Sequence, residues 1–411
     1  MTEDEAFLQD IAANPEDDAP RLVYADWLDD RGDGERAEFI RVQCELARMD
    51  ETDPRWDELK GREERALRGY RKDWLGGVEG LVRKREFRRG FLDSADVRPK
   101  DLVASGEELF RRVPLRHVRL YGNFADTSVL ALAASPNLAK VRSLEFDYPR
   151  LTLAGLNALA GSPHLRGLKE LHLKGCRVGP AAARALAESP HVAGLAVLRL
   201  PHCNLGPTGA AAFAGSPHLA RLEALDLMAN GIADEGLTAL ADSPHLANLT
   251  DLGVLSNLIG PAGAQALAAA RHWRLTRLNL GANRIGVEGV RLLTASPHAG
   301  RLTWLHLGYG GQGPAAAAAL AESPRLAQLT TLNWYGGGLG DDGARALAAS
   351  PHLSNLVELA LVANNITDAG ARALLDSPHL TRLRRVDLRG NDLSRKQNAF
   401  LRARFGTNVS F

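Results

Sequence analysis

The stretch Ser216–Asp242 reads SPHLARLEALDLMANGIADEGLTALAD, and a closely similar stretch begins at Ser243. The Ser-Pro pair that opens it recurs along the chain with a step of 27 residues, and a degenerate copy at Ala270 is followed by one step of 26. A fixed period in this range is typical of a solenoid built from stacked copies of one unit. The pairs begin at Ser135, Ser162, Ser189, Ser216, Ser243, Ser296, Ser323, Ser350 and Ser377.

Each copy predicts a short strand, a turn and a helix. Leu222, Leu225 and Leu227 alternate as one face of a buried strand requires. Asn230 stands where the chain must bend, and its amide can pair with backbone groups that the bend leaves free. Asp234 and its neighbours favour a helix start, as proline does in other copies, and the next Ser-Pro pair ends the helix because the residue before proline leaves the helical region.

This pattern resembles the leucine-rich repeat, in the helix-containing form found in ribonuclease inhibitors. The resemblance covers roughly residues 113–395 and implies an α/β solenoid with a curved parallel sheet inside and helices outside. Eleven strands are predicted, beginning near Leu115, Val141, Leu168, Leu195, Leu222, Leu249, Leu275, Leu302, Leu329, Leu356 and Leu383.

The segment PEDDAPRLVYADWLDDRGDGERAEFIRVQCELAR resembles the small helical repeat-companion domain at the N-terminus of many planctomycete and myxobacterial proteins, which implies a bacterial source. We therefore expect a helical domain over residues 1–50 and an N-terminal cap over residues 51–113. The cap would contain one helix over 54–75, with Tyr70 on its apolar face, and two strands joined near Gly90.

The leucine-rich-repeat array is expected over residues 114–393 and a C-terminal cap over residues 394–411. In that last cap, Ser394 and Gln397 match a capping box. Phe400, Leu401 and Phe405 are predicted to close the last repeat.

Composition narrows the class of partner. The 411 residues carry a net charge of +1, so no strong field favours nucleic acid or a membrane surface. The start MTEDEAF does not match a secretory signal, and no apolar run reaches membrane-spanning length. We expect a cytoplasmic monomer.

The basic run at Arg83–Arg89 fits either a nucleic-acid contact or a charged sheet edge that prevents pairing with other sheets.

Metal and cofactor sites are not predicted. Cys176 and Cys203 occupy the slot of Asn230 in adjacent repeats, where their thiols can serve the turn, with a metal or redox pair as the alternative. Histidine recurs after the Ser-Pro pair in most repeats, and we interpret it as a turn residue rather than a metal row. Asp29, Asp33 and Gly34 match part of a calcium loop, but Ile40 stands where its closing carboxylate belongs.

The strongest functional signal lies on strand residues that flank the central leucines and so point away from the core. From the middle of the array onward these residues become large and aromatic, a composition typical of protein interfaces. In the same repeats Gly310 and Gly337 replace the turn asparagine, either for close approach of another molecule or with Trp334 filling the space. The predicted partner-binding residues are Met228, Leu255, Arg277, Asn279, Trp304, His306, Tyr309, Asn333, Tyr335 and Glu358.

No arrangement of nucleophile, acid and base suggests catalysis. The sequence therefore predicts a non-catalytic scaffold that binds a protein on the concave face of the sheet. Two alternatives follow from the resemblance alone: an inhibitor that covers a partner enzyme, and a GTPase-activating protein. Nucleic-acid binding through Arg83–Arg89 is a third.

Overall fold

The computed structural model of the protein describes residues 2–50, 53–69, 72–122, 126–147, 151–176 and 178–410. The chain forms two compact units, Met1–His172 and Leu173–Phe411. No helix in the described ranges is both long and apolar enough to cross a lipid bilayer.

The first unit begins with the three helices that the sequence predicts: α1 (Glu3–Ala13), α2 (Ala19–Asp30) and α3 (Gly34–Leu46). Thr2 and Glu5 form a capping box at the start of α1, and the Asp33 carboxylate accepts from the Arg36 N–H at the start of α3. The expected helix over 54–75 is shorter. Helix α4 (Trp56–Gly69) is followed by a 3₁₀ turn at Lys72–Leu75, and Tyr70 lies outside the described residues.

Two antiparallel strands follow, β1 (Val82–Arg88) and β2 (Phe91–Val97), and Gly90 joins them with a φ of 87°, as the sequence predicts. Helix α5 (Pro99–Arg112) was not predicted. Proline in its first turn starts it, and Leu102 and Leu109 are buried along one face. The first unit then continues with β3 (His117–Leu120), α6 (Asp126–Ala134), β4 (Ser143–Asp147) and α7 (Leu153–Ala160). Strands β2, β3 and β4 are parallel neighbours in chain order.

Strand β5 (Glu170–Lys174) spans the division between the units. In the second unit, every strand pairs in parallel with the next one along the chain. These strands are β6 (Val197–Arg199), β7 (Ala224–Asp226), β8 (Asp251–Gly253), β9 (Arg277–Asn279), β10 (Trp304–His306), β11 (Thr331–Asn333), β12 (Glu358–Ala360), β13 (Arg385–Asp387) and β14 (Val409–Ser410). The eleven predicted repeat strands are β3 to β13, and β14 is an addition that the sequence did not predict.

One helix follows each repeat strand of the second unit. The helices are α8 (Gly179–Ala187), α9 (Gly206–Ala214), α10 (Ala233–Ala241), α11 (Pro261–Ala269), α12 (Gly286–Ala295), α13 (Gly313–Ala321), α14 (Gly340–Ala349), α15 (Asp368–Leu375) and α16 (Arg395–Phe405). Leu278 of β9 faces Leu267 of α11 and Leu293 of α12, which places the helices on the leucine side of the sheet. The residues that flank these leucines lie on the opposite side, which we call the open face.

The recurrent serine joins adjacent repeats. The Ser243 hydroxyl donates to the Ala214 carbonyl of the preceding repeat at 2.5 Å and accepts from the His245 N–H two residues later at 3.2 Å. Both groups lie at helix ends, where backbone polar groups need partners. In this contact the histidine contributes only its backbone N–H, so the contact does not use the imidazole ring. Within the described ranges, no group of three or more His, Cys, Asp or Glu side chains could hold a metal ion.

The turn asparagines form a ladder of buried amides. The Asn257 side chain accepts from the N–H groups of Asn230 and Ile232, and it donates to the carbonyls of Leu227 and Leu255. Asn230, Asn283, Asn364 and Asn391 repeat this arrangement. Each amide thus pairs backbone groups of two repeats that would otherwise be buried without partners, at about 1–3 kcal/mol for each unpaired group.

Two predictions about the caps need correction. The aspartates at helix starts cap the next helix rather than their own: the Asp234 carboxylate accepts from the N–H groups of Gly260 and Gly263 at the start of α11. At the C-terminus, Leu401 and Phe405 are buried as predicted, but Phe400 is exposed and packs its ring against the Arg372 guanidinium.

Candidate functional site

The sheet register brings several of the predicted site residues together on the open face. Trp304 of β10 lies beside Arg277 of β9, and His306 lies between Asn279 and Asn333 of the two neighbouring strands. Adjacent strands stand about 4.8 Å apart, so these side chains are within contact distance across the sheet.

Four of the predicted residues form a contiguous group of rings, which we call the aromatic cluster: Trp304, His306, Tyr309 and Tyr335. The His306 ring contacts Tyr335 edge to face at 5.0 Å and Trp304 at 6.2 Å between ring centroids. Tyr309 contacts Tyr335 at 6.0 Å, again edge to face. This geometry is the favoured one for aromatic pairs, because the positive edge of one ring meets the negative face of the other.

A cation borders the cluster. The Arg277 guanidinium lies 4.6 Å from the centre of the Trp304 ring and also pairs with the Asp251 carboxylate at 3.2 Å. Arginine stacked on tryptophan combines charge with a flat apolar surface, which is the chemistry enriched at the centres of protein interfaces.

Two glycines in the turns that follow β9 and β10 make room for the cluster. A side chain at Gly281 would collide with the Leu255 side chain and with the His306 ring. A side chain at Gly308 would collide with the Tyr335 backbone and with the same His306 ring. Because both positions lack a side chain, Leu255, His306 and Tyr335 lie across the sheet and pack against one another.

His306 is more enclosed than the sequence indicated. It is only 8% exposed, and its Nε2 atom is buried with no hydrogen-bond partner among the described residues. Burial lowers the pKa of the His306 imidazole to about 4, because the charged form would lose its water. His306 is therefore an uncharged, buried ring against which the other rings of the cluster pack. It is not an exposed contact residue.

Tyr309 is the exposed part of the cluster, and its backbone is strained. It is 58% exposed and has a φ of 64°, in the left-handed region. Equivalent positions in other repeats also have positive φ, and they hold His202, Ala229, Ser256, Ala282, Gly336 and Ala363. Any residue with a Cβ in this region costs about 1–2 kcal/mol relative to glycine, and such strained positions collect at functional sites.

The replaced turn asparagines have a structural explanation. Neither Gly310 nor Gly337 has a positive φ. A side chain at Gly310 would overlap the Gln312 amide and the Asn283 backbone carbonyl, and one at Gly337 would overlap the Trp334 indole. Gln312 stands where other repeats have Leu or Ile; it donates to the Leu307 carbonyl at 2.9 Å and accepts from the Trp334 indole N–H at 3.2 Å. These glycines thus admit the protein's own side chains, and this favours the space-filling interpretation.

The other predicted residues are less closely associated with the cluster. Glu358 forms an ion pair with Arg385 on the next strand. The side-chain oxygen of Asn279 accepts a hydrogen bond from the Gly281 N–H. Met228 and Asn333 are half-buried on the open face. The sequence analysis missed two residues, Gln312 and the exposed Leu258. Gln312 could have been found because it is a polar residue at a position that holds an apolar core residue in other repeats.

The alternative sites are weaker. In the basic run, Arg83 stacks on Tyr121, Lys84 pairs with Asp96, and Arg88 and Arg89 both pair with Glu16. Arg85 of the same run donates to the carbonyls of Glu79 and Val82. Lys84, Arg88 and Arg89 are thus paired with carboxylates of the protein itself, which weakens the case for a nucleic-acid contact.

The cysteine slots behave as turn residues. The Cys203 thiol lies 2.9 Å from the Leu173 carbonyl, as the amide of a ladder asparagine would, and its side chain hydrogen-bonds with Cys176. Both thiols are buried and free. Hydrogen bonds from Cys176 and from nearby backbone N–H groups lower the pKa of Cys203, whereas the same contact and burial raise that of Cys176.

Parallel strands, outer helices, a leucine-lined core and an amide ladder together define an α/β leucine-rich-repeat solenoid. A family model described as "Leucine Rich repeat" matches residues 164–187, 218–241, 275–293 and 352–375. No curated protein matches the sequence.

Solved structures similar to the chain include the complex of Rad7 and Elc1 in yeast, with 14% identity over 97% of this chain and 96% of that chain and a TM-score of 0.47. Another is the TLR13–ssRNA13 complex, with 19% identity over 72% of this chain and 42% of that chain and a TM-score of 0.44.

Proposed function

We propose that this protein is a non-catalytic scaffold that binds a protein partner on the open face of the sheet, with the aromatic cluster at the centre of the contact. The observation that carries the proposal is Tyr309, a large ring held at positive φ and left mostly in water. Neither the strain nor the exposure benefits the folded state, whereas a partner that covers the ring would gain its apolar surface.

The surroundings of Tyr309 support a protein partner. Trp304 and Tyr335 are half-buried and fixed by their neighbours, so they lose little conformational freedom on binding. Arg277 adds a cation at the border of the cluster. Trp, Tyr and Arg are the residue types in which binding energy concentrates at protein interfaces.

The finer assignments belong to the same proposal. We infer a monomer in the cytoplasm, where the buried free thiols would stay reduced. The ribonuclease-inhibitor-like class, the companion domain over residues 1–50 and the bacterial source rest on the resemblance in the sequence.

A capture experiment tests the proposal. The full chain is immobilised and compared with a Trp304→Ala/Tyr335→Ala variant and with a control, Val197→Ala/Arg199→Ala, which alters the same face on β6. We expect a partner that is retained by the wild type and the control but lost by the cluster variant. Calorimetry with the purified partner should then show at least about 30-fold weaker binding, or about 2 kcal/mol. Equal affinity for the cluster variant would refute the proposal.

A second variant separates binding from stability. Tyr309→Gly removes the exposed ring and relieves the backbone strain, so we expect thermal stability to be unchanged or slightly higher. Affinity for the partner should fall at the same time. If the Tyr309→Gly variant unfolds at a clearly lower temperature and still binds normally, the ring serves the fold and not the partner.

A further inference from the structure

Beside the aromatic cluster, the turns that follow β8, β9 and β10 form what we call the loop edge, residues 256–258, 282–284 and 309–311. The turns stack directly: the Ser256 N–H donates to the Gly281 carbonyl at 2.9 Å, and the Ala282 N–H donates to the Gly308 carbonyl at 2.5 Å. Side chains on neighbouring turns are therefore about one strand spacing apart, close to 4.8 Å.

Leu258 is a second apolar side chain exposed at this edge. It is 63% exposed and has a φ of 63°, whereas equivalent positions hold residues that tolerate positive φ, such as Gly231, Gly311 and Asn365. Leucine at this position adds strain and gains no burial. Leu258 and Tyr309 combine positive φ with a large exposed apolar surface, and they stand two repeats apart, about 10 Å.

Arg284 lies on the turn between them. It is exposed, and no carboxylate lies within 4.0 Å of its guanidinium among the described residues. The arginine on the adjoining strand differs, because Arg277 of β9 pairs with the Asp251 carboxylate. The loop edge thus presents one unpaired positive charge between two exposed apolar side chains.

We propose that the loop edge docks an acidic, partly apolar segment of the protein partner, with a carboxylate at Arg284 and apolar side chains against Leu258 and Tyr309. Arginine holds carboxylates through two parallel hydrogen bonds, which gives this contact direction as well as charge. In a segment with the polyproline II conformation, residues three apart lie on the same side and span about 9 Å, which is close to the spacing of Leu258 and Tyr309. This inference rests on the proposed function and adds the chemistry of the partner.

Reversing the charge at Arg284 tests the inference, and the test does not require the partner to be known. The probe is a displayed library of random peptides, selected separately on the full-length wild type and on Arg284→Glu. We expect the wild type to enrich peptides with Asp or Glu between apolar residues, and Arg284→Glu to enrich peptides with Lys or Arg at that position. One synthetic peptide from each selection is then titrated against both proteins, and each should bind its own protein at least about tenfold more tightly.

Two further variants define the site. Leu258→Ser should weaken binding of the wild-type peptide by about tenfold at an unchanged melting temperature, because Leu258 is exposed in the folded protein. Peptides that depend on Trp304 but not on Arg284 or Leu258 would overturn this inference and leave the proposed function standing. Failure of either protein to enrich any peptide also counts against it, as does binding of a single-stranded oligonucleotide that Arg284→Glu abolishes.

Discussion

Replacing Gln312 by isoleucine should destabilise the protein, even though isoleucine is the residue of several equivalent repeats. In the wild type, the Gln312 amide pairs two buried groups, the Leu307 carbonyl and the Trp334 indole N–H. Isoleucine leaves both without partners, and each unpaired group costs about 1–3 kcal/mol. The added apolar burial offsets about 1–2 kcal/mol of this. We expect a net loss of about 2–4 kcal/mol in the free energy of unfolding.

The same isoleucine should be tolerated once the other replacements in these repeats are reversed. An asparagine at Gly337 would reach the Leu307 carbonyl, as Asn257 reaches that of Leu227. It requires Trp334→Leu, because the indole fills the space beside Gly337. An asparagine at Gly310 would accept from two backbone N–H groups for which the described residues show no acceptor, those of Asn283 and Ile285. The variant with all four changes should therefore recover most of the stability that Gln312→Ile loses, and the remaining cost is a shift of the turn, because a side chain at Gly310 also lies 2.6 Å from the Asn283 backbone carbonyl.

Urea unfolding followed by circular dichroism measures both variants. A matched control is Ile259→Leu, a change of shape at an equivalent buried position, which should cost less than about 1.5 kcal/mol. The reasoning is refuted if Gln312→Ile unfolds at the wild-type midpoint, or if the four changes together are as destabilising as the sum of the single ones. Strong positive coupling is required, because these side chains share partners.

Three other predictions follow from burial. Leu225→Ala should lower the free energy of unfolding by about 2–5 kcal/mol in the same urea assay, whereas the exposed control Arg199→Ala should change it by less than about 0.5 kcal/mol. Because the pKa of His306 is lowered to about 4, from roughly 6.5 in the unfolded chain, stability should fall as pH drops through this interval, by about 3 kcal/mol at most, and His306→Gln should remove that part of the pH dependence. Cys176 and Cys203 should resist iodoacetamide in the native protein and react in urea, as mass spectrometry of labelled peptides would show; rapid native labelling would contradict their burial.

The sequence predicts the repeat strands well because one physical signal fixes them. Leu225 and Leu252 are paired on adjacent strands. In each strand the residues on either side of such a leucine must point away from the core, and the same alternation returns in every repeat. Helix α5 has no such repetition. Only one apolar stripe after Pro99 could have indicated it, and that signal was not enough to predict the helix. The sequence around Asp234 could not show that its carboxylate caps the helix of the next repeat. An aspartate near one helix start does not indicate which backbone N–H groups its carboxylate will reach.

For the candidate site, the sequence identified the face but not the depth of each side chain. Alternation places His306 on the open face, yet its burial depends on Gly281 and Gly308, two missing side chains on its own and a neighbouring repeat. Such burial arises from the packing of three strands and is invisible in any one of them. The positive φ at Tyr309 was likewise hidden, because the residue types at equivalent positions, such as His202, Ala229 and Ser256, do not indicate a positive φ.

A repeat array provides its own reference for judging unusual residues, since each position is occupied many times in the same backbone setting. Departures that compensate one another serve the fold: Gln312 replaces the amide that Gly337 lacks, and Trp334 fills the space. Departures at Leu258 and Tyr309 have no such compensation, because each adds backbone strain and leaves apolar surface in water. Strained backbone and large uncovered apolar surface collect at functional sites. That physical contrast, and not the number of aromatic residues, is the reason to propose that the partner binds at the loop edge and the aromatic cluster.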